Sequence, residues 1–158
     1  MASELDSLLA GLDEAFQRRA WHGTNLLGSL RSITPAQAAW RPDSGRHNVW
    51  ELVVHAAYWK YAVARRLSGA KRGSFPLPGS NWFVRDGGSA ADLRSDLDLL
   101  KTCHRHLLDA ARSLRPGNLG RRPGNGRFTA AELLRGAAAH DLYHAGQIQL
   151  LKRLRGAR

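Results

Sequence analysis

At four points along the chain, the same local signal opens a segment of regularly spaced apolar residues. A short polar residue is followed three positions later by an acidic one. The four pairs are Ser3 and Asp6, Asn48 and Glu51, Ser89 and Asp92, and Thr129 and Glu132. This pattern is typical of a helix N-terminus, because the first side chain accepts a backbone N–H that has no partner in the first turn. One pair is weak evidence, but four pairs with helical spacing behind them predict four helices.

The apolar residues behind each pair recur at steps of three and four, which places one apolar face on a helix. Stop signals bound three of these segments, with Gly69 after the second, Pro116-Gly117 after the third and Gly156 after the fourth. No segment shows the alternation of a strand. We therefore predict an all-α protein, a single four-helix bundle that occupies 1–158 as one domain with long connecting loops. The predicted helices span approximately 4–30, 49–68, 90–114 and 130–155.

Two long connections carry features of their own. Residues 34–37, Thr-Pro-Ala-Gln, are typical of a short capped helical turn with proline at its first position. The connection over residues 70–88 mixes prolines and glycines with three aromatic residues, Phe75, Trp82 and Phe83. Loops of this length in a compact domain are usually functional, and the aromatic side chains predict that this one packs onto the helices.

The charge balance bears on the partners. The 158 residues include 24 basic and 13 acidic side chains, a formal net charge of +11, which favours an anionic partner. The basic residues come in short groups at predicted helix ends and loops, where helix dipoles account for many of them, so we expect no specific nucleic-acid partner. No apolar run is long enough to span a bilayer, and the first residues lack a signal-peptide pattern. With Cys103 as the single cysteine, we expect a cytoplasmic protein without a disulfide framework or membrane contact.

The most informative polar residues are His140 and His144, four positions apart in the last predicted helix. Residues at this spacing share one helix face, so both imidazoles can bind one metal ion. Both lie on the apolar stripe of the helix, and small neighbours such as Gly146 leave room beside the rings. Two hydrogen-bonded core histidines are the alternative, but an inward pair at this spacing favours a metal.

A catalytic type of metal site needs a third ligand and an open position. His55 lies near the inward face of the second predicted helix. At a rise of about 1.5 Å per residue it lies about 10 Å from the start of its helix, and the His140 and His144 pair lies about 20 Å from the start of its own. Because helix offsets in a bundle vary by more than this difference, the sequence permits the match without requiring it.

These residues resemble a known family. The chain resembles the DinB/YfiT-like superfamily of metal-dependent enzymes over essentially its whole length. The resemblance is carried by His55 in the second helix, the segment from His140 to Ile148 and the segment from Ile33 to Pro42. It implies that His55, His140 and His144 bind a divalent metal, zinc or nickel, in a variant of the up-and-down four-helix bundle. It also implies a homodimer and, from some members, a low-molecular-weight thiol as cosubstrate.

Four further residues are candidates for supporting a ligand or binding substrate: His104, Asp141, Gln147 and Trp59. His104 lies on the apolar stripe of the third helix, where a hydrogen-bonded core histidine is the alternative. Asp141 follows a predicted ligand and is a candidate to act on a bound water, although helix geometry turns it about 100° away from His140. Cys103 neighbours the stripe of the third helix, so we expect it to pack rather than react.

The leading functional hypothesis is a divalent-metal-dependent enzyme, either a hydrolase or a low-molecular-weight-thiol transferase that acts on a small electrophilic molecule. A metal with three neutral ligands lowers the pKa of a bound water or thiol, and the sequence has no nucleophile motif of its own. We expect the substrate between the helices and the 70–88 connection, with Arg72 or Arg85 holding a carboxylate or phosphate. The alternatives are a non-catalytic metal-binding stress protein and a basic nucleic-acid-binding helical protein, which the scattered charge disfavours.

Overall fold

The computed structural model describes residues 2–156, apart from the side chain of Pro116. Within this range the chain forms six α-helices, one 3-10 turn and no strand, which confirms the prediction of an all-helical protein. The helices are α1 (Glu4–Phe16), α2 (Leu26–Ser29), α3 (Pro35–Ala39), α4 (Val49–Ser68), α5 (Ala90–Arg112) and α6 (Ala130–Gly156). None of them combines the length and the apolar character that crossing a bilayer requires.

Three of the four predicted helices, now α4, α5 and α6, occur within two residues of their predicted bounds. The prediction of one helix over 4–30 is wrong, because α1 ends at Phe16 and the chain turns before it forms α2. Asn25 begins α2 as its N-cap, with its side chain accepting the N–H of Gly28 at 2.8 Å. Leucines 26, 27 and 30 keep helical spacing across this break, and Asn25 has no acidic residue three positions later to mark the new start.

The predicted cap residues begin their helices in the structure. Reciprocal capping boxes form at four helix starts: Ser3 with Asp6, Thr34 with Gln37, Ser89 with Asp92, and Thr129 with Glu132. Pro35 also stands in the first turn of α3, as the sequence predicts. These bonds satisfy backbone N–H groups that would otherwise lack partners at the helix starts.

Asn48 begins α4 and also ties it to both neighbouring connections. Its side-chain oxygen accepts the N–H of Glu51 at 2.8 Å, while its amide donates to the carbonyl oxygens of Arg85 at 2.6 Å and Ala39 at 3.3 Å. Asn48 is fully buried. Glu51 does not complete a capping box, because its carboxylate accepts two hydrogen bonds from Arg41, at 2.6 and 2.9 Å. This one asparagine therefore fixes where the two long loops meet α4.

The buried core lies where α4 packs against α5 and α6, and where α1 packs against α5 and α6. One hydrophobic cluster surrounds Leu52, Val53 and Leu100, and a second surrounds Leu107 and Leu134. A third cluster contains Phe83 from the connection between α4 and α5, with Phe75 packed against it. The prediction that aromatic residues pin this connection to the helices is confirmed.

Replacing Asn48 by alanine should lower the free energy of unfolding by about 2 to 4 kcal/mol, because the substitution removes a cap and leaves two carbonyl oxygens without their donor. The matched control is Ser3→Ala, which removes a solvent-exposed cap and should cost about 1 kcal/mol or less. Urea unfolding followed by circular dichroism measures both values. Equal losses in the two variants would show that Asn48 acts only as a helix cap.

Candidate metal centre

The structure brings the imidazoles of His55, His140 and His144 together between α4 and α6. The Nε2 atom of His140 lies 3.2 Å from that of His55 and 3.0 Å from that of His144. One ligand nitrogen from each ring lies within 4.8 Å of the other two. Two nitrogens bound at about 2.0 to 2.1 Å to a tetrahedral zinc ion lie about 3.3 Å apart. The three rings therefore stand close to the spacing of ligands around one small divalent ion.

The remaining ring nitrogens of two histidines face protein oxygens, and this fixes their tautomers. Nδ1 of His55 lies 2.8 Å from the carbonyl oxygen of Asn81, and Nδ1 of His144 lies 2.6 Å from Oε1 of Gln147. A carbonyl oxygen only accepts, so each Nδ1 carries the hydrogen and each neutral ring presents an Nε2 lone pair. One hydrogen on Nε2 of His140 can reach only one of these lone pairs, whereas a metal ion satisfies all three rings. The donor set fits a divalent metal.

Burial keeps these histidines in the neutral form that binds metal. It lowers the pKa of His55 to about 4 and that of His140 to about 3, and it lowers the pKa of His144 as well. The neighbouring imidazoles add to the lowering of the pKa of His140. The hydrogen bond to Asn81 opposes the effect of burial on the pKa of His55.

The connection between α4 and α5 orients His55 from outside the helices. Asn81 has a φ of 65°, in the left-handed region. In this conformation its carbonyl oxygen accepts the Nδ1–H of His55, and its side-chain oxygen accepts the indole N–H of Trp59 at 2.8 Å. Trp82 stacks on His55 with ring centroids 3.8 Å apart and on His47 with centroids 3.6 Å apart. Asn81 is absent from the residues predicted from the sequence. The sequence feature that could have indicated it is an asparagine next to the aromatic residues of a long loop, because asparagine tolerates a left-handed backbone conformation.

A buried ion pair joins α4 to α6 beside the three histidines. Nζ of Lys60 lies 2.5 Å from Oδ2 of Asp141, and the two side chains are 2% and 1% exposed. Burial raises the pKa of the Asp141 carboxyl, and the Lys60 ammonium opposes that rise. Asp141 therefore faces a lysine, and this pairing is its role in the structure. Its other oxygen, Oδ1, has no hydrogen-bond partner among the described residues.

His104 belongs to this buried pair rather than to the three-histidine cluster. Its Nδ1 lies 3.2 Å from Nζ of Lys60, and its ring stacks on Phe16 with centroids 3.8 Å apart. Burial and the Lys60 charge lower its pKa to about 3. The structure thus makes His104 a hydrogen-bonded core histidine, which is the alternative left open by the sequence.

Lys60 is absent from the residues predicted from the sequence, although its position carries a signal. It lies four residues after Ala56 and four before Ala64, and both alanines are buried. A lysine on such an apolar stripe must find a charged or polar partner, because an unpaired buried charge is very costly. The sequence around Lys60 does not identify that partner, because Asp141 lies 81 residues further along the chain.

A cavity of about 270 Å³ opens beside His140, between α4 and α6. Its walls include Trp59 and Leu133, and Lys60 and Asp141 contribute polar groups. The candidate residue Trp59 therefore shares a cavity with a candidate ligand. This cavity lies between two helices, whereas the sequence-based expectation placed the substrate against the 70–88 connection.

Two other sequence-based candidates are accounted for by their partners or their burial. Nε of Arg85 lies 2.6 Å from Oδ2 of Asp96 and so forms an ion pair instead of facing a ligand. Cys103 is buried in the core, and burial raises the pKa of its thiol to about 11. A thiol with so high a pKa is a poor nucleophile at neutral pH, in agreement with the packing role expected for it.

Comparison with known proteins identifies one family. The sequence model described as the DinB superfamily matches residues 18–148, most of the chain and all of the three-histidine cluster. No curated protein and no solved structure matches the chain significantly.

In the metal-free protein, His55 and His144 should carry their hydrogen on Nδ1, and His55 should stay neutral at pH 5, because burial lowers its pKa to about 4. The unfolded chain titrates near pH 6.5 and binds more protons below that pH, so the free energy of unfolding should fall as the pH drops from 6.5 to about 4. Long-range ¹H–¹⁵N spectra report the tautomers, and urea unfolding across this pH range reports the stability. Hydrogens on Nε2 of both rings, or stability that does not change over this range, would contradict the assigned geometry.

Proposed function

The chain belongs to the DinB superfamily, and from this premise we propose that it is a divalent-metal-dependent enzyme with His55, His140 and His144 as the metal ligands. The observation that carries the proposal is the set of three Nε2 atoms that converge, two of them in rings whose Nδ1 atoms face protein oxygens. Zinc and nickel are the metals proposed, since both accept neutral imidazole ligands.

The reaction proposed is hydrolysis, or transfer of a low-molecular-weight thiol, at a small electrophilic molecule. A divalent ion with three neutral ligands supplies a Lewis acid that lowers the pKa of a water or thiol in its open position. Asn81 and Gln147 hold two of the imidazoles in their orientation through the Nδ1 hydrogens. Trp59 and the other apolar walls of the cavity beside His140 receive the substrate and exclude water from it.

The inventory of side chains favours an external nucleophile over one from the protein. Cys103 is buried with a raised pKa, and the carboxylate of Asp141 is paired with Lys60. A water or a small thiol that enters through the cavity leaves both residues outside the reaction. A metal-binding stress protein without turnover is the second candidate for the same cluster, and the cavity that adjoins His140 is what favours the enzyme.

The proposal also includes the organisation of the protein. We infer that the four long helices, α1, α4, α5 and α6, form a four-helix bundle in a variant of the up-and-down topology and constitute one domain. We further propose a cytoplasmic homodimer. Trp21 is 99% exposed, and tryptophan is enriched at contacts between proteins, which supports this proposal.

Gln147→Leu should weaken metal binding by about 10- to 100-fold, because it removes the acceptor that orients His144. Gln149→Leu is the matched control, the same substitution two residues later on α6, and should leave the affinity unchanged. Titration of the metal-free protein with Zn²⁺ or Ni²⁺ against a chromogenic chelator measures both affinities.

The same preparations test turnover. Wild-type protein loaded with metal should hydrolyse a chromogenic ester or transfer a small thiol to chlorodinitrobenzene, and a chelator should abolish the reaction. Equal affinities of the Gln147→Leu and Gln149→Leu variants would contradict the role given to Gln147. Tight metal binding without any turnover would favour the metal-binding stress protein.

A further inference from the structure

Four arginines border a second cavity, next to the one that adjoins His140. This arginine groove has a volume of about 480 Å³, and no acidic residue is among those that line it in the described part of the chain. Arg66, Phe128 and Leu133 line both cavities, so the groove adjoins the apolar cavity beside His140. The arginines are Arg65, Arg66, Arg72 and Arg127.

The four guanidinium groups have no acidic partner among the described residues. Within residues 2–156 none of the four makes an ion pair, whereas Arg41, Arg85 and Arg112 do. Arg65 donates one hydrogen bond to the carbonyl oxygen of Ala70 at 3.3 Å. The guanidinium of Arg66 lies over the ring of Trp59, 5.9 Å from its centroid. The positive charges around this cavity repel one another, and a bound anion offsets that repulsion by attracting each of them.

Helix dipoles account for only part of this cluster. Arg65 and Arg66 lie in the last turn of α4, where the negative end of the dipole favours cations. Arg72 lies beyond that helix, and Arg127 lies three residues before α6, near the positive end of a dipole that disfavours a cation. An anionic ligand gives all four positions one explanation.

The groove, the apolar cavity and the three-histidine cluster lie along one face of α4. His55, Trp59, Val63 and Arg66 follow one another at steps of three and four residues, so their side chains share that face. At about 1.5 Å per residue, the path from His55 to Arg66 is about 16 Å long. It runs from imidazole nitrogens, past largely apolar walls that also include Glu132, to guanidinium groups.

We propose that the arginine groove binds the phosphate or carboxylate group of a small molecule whose apolar part fills the cavity beside His140. Guanidinium groups bind both anions through paired N–H donors, and apolar walls next to them select a hydrocarbon or aromatic body. The ligand is therefore an amphiphilic anion rather than a free inorganic ion. Under the proposed function, the reacting group lies at the apolar end of this ligand, next to His140, and only this placement rests on the proposed function.

Calorimetric titration of the metal-free protein at low ionic strength tests this site without using the metal. The probes are 4-phenylbutyl phosphate, 4-phenylbutanoate, the neutral 4-phenylbutan-1-ol and inorganic phosphate. At least one phenylbutyl anion should bind about tenfold or more tightly than both the alcohol and inorganic phosphate, and the stronger of the two identifies the anionic group.

The variant Arg72→Gln/Arg127→Gln should weaken binding of that anion by about tenfold or more and leave binding of the alcohol unchanged. Both substitutions are exposed and lie outside the apolar cavity. The control Arg94→Gln/Arg105→Gln makes the same change in net charge at two exposed positions of α5 and should have little effect.

Equal losses in the two double variants, or an alcohol that binds as tightly as the anions, would overturn the proposal. A short DNA duplex provides the remaining comparison. If the Arg72→Gln/Arg127→Gln variant loses affinity for the duplex but binds the phenylbutyl anions with wild-type affinity, the groove is a nucleic-acid surface and the proposal is wrong. Because no metal is present, a protein that fails to bind zinc or nickel can still pass this test, and a metal-binding protein can fail it.

Discussion

The buried ion pair between Lys60 and Asp141 is the contact on which the candidate site depends. It sets the offset between α4 and α6, because Lys60 follows His55 by five residues on one helix and Asp141 follows His140 directly on the other. His55 contacts His144, and Lys60 contacts Asp141. Residue numbers therefore rise along α4 where they fall along α6, which means that the two helices run antiparallel. A shift between the helices would leave a buried charge unpaired, at a cost of about 3 to 5 kcal/mol. The same contact that aligns the helices therefore brings the three imidazoles together.

The parts of this structure that the sequence predicts are the local ones. A cap bond forms between residues three positions apart, so Ser89 and Asp92 indicate a helix start without reference to the rest of the fold. The i, i+4 spacing likewise places His140 and His144 on one face. The break after α1 escapes this reasoning, because leucines 26, 27 and 30 continue the helical spacing through it.

The parts that the sequence leaves open depend on contacts between distant segments. The resemblance to the DinB superfamily indicates His55 as the third member of the cluster, whereas helix geometry alone leaves its depth undetermined. Asn81 lies 26 residues from His55 and acts through a backbone carbonyl, which no side-chain pattern reveals. The arginine groove gathers residues from the end of α4 and from the segment before α6, so the excess of positive charge becomes a localised feature only in the folded chain.

The central claim is that His55, His140 and His144 bind one divalent metal through Nε2, and anomalous diffraction at the zinc and nickel absorption edges tests it most directly. Crystals of the protein purified without added metal should give a single peak about 2.0 to 2.1 Å from all three nitrogens. The edge at which the peak appears identifies the metal. Three imidazoles in this arrangement with no anomalous peak between them, after soaking in either metal, would contradict the account.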